Sequence, residues 1–67
     1  MEFTKMQEEL EKEMIKQGER KDIAGHLSRI LKTKEQQQSM MKYLISIRKE
    51  HVSEAEVIQV AVQISKL

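Results

Sequence analysis

Three times along this chain of 67 residues, a Ser or Thr stands three positions ahead of a Glu or Gln, at the front of a run with apolar residues at helical spacing. The pairs are Thr4 with Gln7, Thr33 with Gln36, and Ser53 with Glu56. In such a pair the hydroxyl accepts a bond from an early backbone N–H, and the acid or amide reaches back to the N–H of the capping residue. Both donors would otherwise be left unmet by the start of a helix. With no proline and only Gly18 and Gly25 to break the chain, these starts predict an all-α fold. We expect a single domain over residues 1–67, a small bundle of three to four short helices at about 4–17, 22–32, 34–49 and 54–66.

The first segment starts at Thr4, carries Glu8, Glu9 and Glu11 early, and stops at Gly18 after Lys16. Acids near a helix start, a base in the last turn and a glycine just past the end all suit the helix dipole and its unmet carbonyls. Its stripe is narrow: Met6, Leu10 and Met14, with Phe3 and Ile15 beside them. The second segment takes Asp22 as its N-cap and presents Ile23, Leu27, Ile30 and Leu31. Gly25 inside it costs about 1 kcal/mol relative to alanine, which reads as close packing against a neighbour. The third segment starts at Thr33 and carries Met40, Met41, Tyr43, Leu44, Ile45 and Ile47. No glycine enforces the break before it, and the alternative is one bent helix over 22–49.

Ser53 and Glu56 open the last segment, with Val52 and Val57 at the staple positions that fix how the chain enters a helix. Val57, Ile58, Val60, Ala61, Val62, Ile64 and Leu67 cover most of its circumference. A run so rich in β-branched residues also fits a strand, and the cap pair selects the helix. A helix apolar nearly all round needs burial. A domain this small buries only about 60% of the surface of its unfolded chain. There is no cysteine for a disulfide or a thiolate metal site, so we expect homodimerisation to complete the bundle, through Val57, Val60, Ala61 and Ile64.

The chemistry that would mark an enzyme is missing from the pattern. There is no glycine-rich phosphate loop, nucleophile elbow, HExxH or calcium loop. Ser28, His26 and Asp22, or Ser53, His51 and Glu54, supply the residue types of a triad, but as helical neighbours or cap residues with nothing to form an oxyanion hole. Glu9 and Glu13 stand at i and i+4 and read as solvated surface. We expect no catalysis, no cofactor, no metal, and no pocket of the roughly 300–1,000 Å³ of a ligand site. Met1 leads straight into charged residues with no apolar leader core, and no apolar run nears the roughly 20 residues of a membrane span. A cytoplasmic protein with no membrane contact is the expectation.

Charge is unevenly placed, although the formal net is only +1. Residues 1–15 carry a net of −3, and residues 16–34 a net of +4. The basic stretch supplies a candidate partner-binding ridge of Arg20, Lys21, Arg29, Lys32 and Lys34, beside the adaptable pair Met40 and Met41. An acidic protein surface suits it. So does a nucleic-acid backbone, and Gln36, Gln37 and Gln38 at the start of the third segment are a residue type that reads adenine edges. No family motif is matched; in composition alone the chain resembles small regulators of bacteria and their mobile elements. The reading is a non-enzymatic regulator, inhibitor or adaptor acting through protein–protein contact, with a small DNA-binding protein using residues 16–38 as the alternative.

Overall fold

The computed structural model describes residues 3–67, and side chains from Thr4 onward; the place of Phe3 on the first stripe lies outside the described side chains. Four helices follow one another: α1 (Phe3–Lys16), α2 (Lys21–Ile30), α3 (Lys34–Ser46) and α4 (Glu54–Ser65). No strand occurs among the described residues. The β-branched run 57–64 is helical, and the chain over 22–49 is two helices rather than one bent helix.

Two of the three cap pairs act at helix starts. Thr33 forms the full box: its hydroxyl accepts from Gln36 N–H at 3.1 Å, and Gln36 Oε1 accepts from Thr33 N–H at 3.3 Å. Ser53 caps α4 by accepting from Glu56 N–H at 3.2 Å. Thr4 is not an N-cap, because the helix already includes Phe3. Asp22 is not one either. The chain leaves the Gly18 turn after two residues, so Arg20 takes the cap position without a side-chain bond, and Asp22 sits in the first turn of α2 near the positive end of its dipole.

Helix ends are set by packing more than by glycine. Gly18, at φ +102°, ends α1 as expected. Then α2 stops at Ile30 because Leu31 turns extended and carries its side chain fully into the core. Similarly α3 stops at Ser46, and Ile47, 7% exposed, turns inward.

Packing closes a ring. α1 lies against α2 and α3, and α4 lies against the same two helices from the opposite side. Between them sit Leu10 and Met14 of α1, Ala24 and Leu27 of α2, Met40 and Leu44 of α3, and Val57 and Ala61 of α4, with Leu31 and Ile47 from the connections. Their spacings of three, four and seven residues put each set on one face of its helix. Val52 packs against this cluster just ahead of α4. Among the described residues, no helix is long and apolar enough to cross a membrane.

Candidate binding surface

Glutamines tie the ring together, which the sequence did not disclose. A helix leaves its last carbonyls without partners. Gln7 Nε2 donates to Ser28 C=O at 3.3 Å in the last turn of α2, and Gln37 Nε2 donates to Leu31 C=O at 3.4 Å just beyond it. Gln17 Nε2 donates to Leu44 C=O at 2.9 Å near the end of α3, and Gln36 Nε2 to Ser65 C=O at 3.3 Å at the end of α4. The Gln36–Gln38 run is therefore not a solvent-facing or base-reading row. Gln36 caps, Gln37 is fully buried, and Gln38 alone of the three is exposed.

The five cations of the ridge are all exposed, but they do not form one line. Arg20 and Lys21 stand at the start of α2, and Arg29, Lys32 and Lys34 around its end, separated by a helix roughly 15 Å long. Arg20 is occupied: its N–H donates to Glu54 Oε2 at 3.1 Å, and its Nε lies 3.8 Å from Glu54 Oε1. Arg29, Lys32 and Lys34 have no carboxylate within 4.0 Å among the described residues. They surround a fixed turn, because Gln36 Oε1 accepts from both Lys32 N–H (2.9 Å) and Thr33 N–H.

The methionine pair is divided. Met40 is fully buried in the core, so it cannot contact a partner; at i, i+4 and i+7 with Leu44 and Ile47 it belongs to the inward face of α3. Met41 is half-buried and lines a depression of about 380 Å³ between α1 and α3, with Glu9, Lys12 and Arg48. That is two turns down α3 from Lys34, away from the cationic corner. The proposed self-association residues divide in the same way. Val57 and Ala61 are buried inside the single chain, 3% and 0% exposed, while Val60 and Ile64 are half-buried at its edge. The ring buries Val57 and Ala61 of α4 and leaves Ile58, Val60, Val62 and Ile64 half-buried. Only Ile15, Ile45 and Leu67 stand out among the described residues as exposed large apolar side chains.

Glu13 is not solvated surface. It is 8% exposed and accepts two bonds from Arg48, at 2.9 and 3.1 Å, and one from Gln17 at 2.6 Å. The Arg48 bonds hold its carboxyl below the usual range, against the opposing pull of burial. Beside this brace opens a groove of about 670 Å³, lined by Lys16 at the end of α1, Gln17 just after it, and Lys49, His51 and Ser53 of the α3–α4 connection. The chain thus has a concavity of ligand size where none was expected, though an open-sided one with the closed Glu13–Arg48 pair in its lining.

The hydroxyls of both triad-like sets bond to backbone groups. Ser28 is buried and donates to Gly25 C=O at 2.9 Å, while His26 and Asp22 are exposed. Ser53 accepts from the backbone, and Glu54 is engaged by Arg20. No group of three or more His, Asp or Glu side chains among the described residues is arranged to hold a metal ion.

Gly25 is buried in α2, but its reason is not a tight backbone approach. A Cβ there would meet only the flexible ends of Arg29, at 3.4 Å, and Glu11, at 3.6 Å. In comparisons with known proteins, the chain matches no family model, no curated relative and no solved structure.

Proposed function

We propose that this chain is a non-enzymatic binding protein, a small regulator, inhibitor or adaptor that docks on an acidic surface of another protein. The observation that carries this reading is the cationic corner where α2 meets α3. Arg29, Lys32 and Lys34 are exposed and unpaired among the described residues, on a turn held by the Thr33–Gln36 box. A fixed turn presents charge at less entropic cost on binding than a loose one. The N-terminus of α3 adds its positive dipole end, offset in part by Glu35. The alternative of DNA recognition has less support, since Gln36 and Gln37 are committed within the fold and leave Gln38 as the exposed reader.

Titration with poly-glutamate and with generic duplex DNA, at low and moderate salt, tests the reading. Binding to the acidic polypeptide should weaken about tenfold in the Arg29→Glu/Lys32→Glu variant, with no retention of the duplex at moderate salt. Steeply salt-dependent retardation of the duplex instead would favour the nucleic-acid reading. Equal affinity before and after the double reversal would remove the corner from the function.

Self-association belongs to the same proposal. Val60 and Ile64, half-buried on α4, are what supports it, together with the small core of a chain of 67 residues. Sedimentation equilibrium should give a mass that rises with concentration, and less so in Val60→Asp. A constant monomer mass with full helicity rejects it.

A further inference from the structure

Gly18 ends α1 with two bonds: its own N–H to Ile15 C=O at 2.9 Å, and Glu19 N–H to Met14 C=O at 3.1 Å. Together they make a Schellman motif, in which the residue after the glycine folds back towards the last inward turn and is commonly apolar. Here that residue is Glu19, opposite the fully buried Met14. Glu19 is 7% exposed, and no protein group bonds to either of its carboxyl oxygens.

We propose that Glu19 is a pH-operated latch: as the neutral acid it stays buried where the α1–α2 turn meets the start of α4, and on losing its proton it loosens that junction. Besides burial, one charged neighbour favours the neutral form. From α4 it faces Glu54, a like charge. Tyr43 of α3 is the titratable neighbour on that side, its hydroxyl also buried without a partner, with Glu50 and Glu56 near it. The adjacent cation, Arg20, is 71% exposed and turned to Glu54. An ionised Glu19 would therefore be buried with no cation or donor of its own. Burial first, then the Glu54 charge, push it from 4.5 up to about 7.

The sign follows from the folded state holding this proton more tightly than the unfolded state. The stability due to neutral Glu19 is complete below about 4.5 and is lost as pH rises through about 7. The shifts at Glu13, which is lowered, and Tyr43, which is raised, act outside that window.

A carbon-detected NMR titration of the side-chain carboxyls tests the latch on the intact chain, with Glu19→Gln assigning the resonance. The Glu19 carboxyl should titrate near neutrality. Amide shifts at 17–21 and 53–56 should follow the same midpoint and lose that step in the variant. Between pH 5 and 8 the wild-type melting temperature should fall by about 5 °C or more relative to Glu19→Gln, a difference that cancels the histidines common to both. Should the glutamine variant not fold, Glu19→Met provides the reference. A carboxyl midpoint in the ordinary glutamate range, or parallel melting curves for wild type and variant, overturns the proposal.

Discussion

Glu13 and Glu19 lie on either side of the end of α1 and are almost equally hidden, 8% and 7% exposed, yet the fold moves their titration in opposite directions. Burial opposes the charged form of both. What differs is the partner. Glu13 points to where the α3–α4 connection brings the Arg48 guanidinium and where Gln17 adds a third donor. Glu19 points to Glu54, and the one cation beside it is already paired with that residue. At equal burial, the second group in reach decides whether an acid is a brace or a proton holder.

The most direct way to break the comparison is to make Glu13 resemble Glu19. Arg48→Ala leaves a buried carboxylate with only Gln17, and should destabilise the chain by about 1–3 kcal/mol, the range for a buried polar group deprived of its partner. Denaturant unfolding at pH 7 measures it. Wild-type Glu13 contributes stability that is present above pH 4.5 and lost as pH falls through its lowered value, and the variant should lack most of that acid-side loss. Arg48→Lys keeps the charge but not the two-bond fork, and should recover only part. A loss under about 0.5 kcal/mol for Arg48→Ala would reduce the brace to an ordinary surface pair.

The converse change makes the turn apolar. Glu19→Met supplies the residue type that this position of a Schellman motif commonly holds. It should stabilise by about 1–2 kcal/mol at pH 8, where the wild-type acid is ionised. The gain should be smaller at pH 5, where the acid is neutral, and an equal gain at both pH values would mean that packing rather than charge is responsible. Smaller still is the effect at Gly25, between the ends of Glu11 and Arg29, an acid and a base that do not close a salt bridge. Their side chains can give way to a methyl group, so Gly25→Ala should stabilise by about 0.5–1 kcal/mol through helix propensity. Destabilisation on thermal melting would show that the two side chains are held in place.

How much of this was legible follows from how local each signal is. The Thr33 and Ser53 caps act over three residues, so they could be read directly and they placed α3 and α4. Thr4 and Asp22 carried the same local chemistry but lost to their surroundings, a helix already formed at Phe3 and a turn that reached Arg20 first. The stripe Met6, Leu10 and Met14 was readable from its spacing, whereas the division of Met40 from Met41 depended on which way α3 faces in the ring. The glutamine ties and the Glu13–Arg48 brace join residues that are distant in the chain, apart from Gln37, and no single segment announces them. Glu19 does carry a local signal: a glycine stop at 18 makes residue 19 the one that folds back. The candidate surface was readable as composition, a basic middle, but its separation into two ends of α2 was not.

The cationic corner is the third kind of charge in this molecule, and it should show the smallest effect on stability. Glu13 is charged and paired, Glu19 is hidden and unpaired, and Arg29, Lys32 and Lys34 are charged, unpaired and in water. Water already solvates these three, so the fold gains little from them and loses little without them. Arg29→Glu/Lys32→Glu should change stability by no more than about 0.5 kcal/mol, with the sign set by two opposed terms. A glutamate at 29 sits unfavourably in the last turn of α2, while one at 32 sits favourably ahead of the α3 N-terminus. Arg29→Glu alone should therefore be less stable than Lys32→Glu alone, by a few tenths of a kcal/mol at low salt and less as salt rises. If the double reversal instead unfolds the chain, the corner is a brace like Arg48, and the binding surface has to be sought elsewhere, first at the groove beside Lys16 and His51.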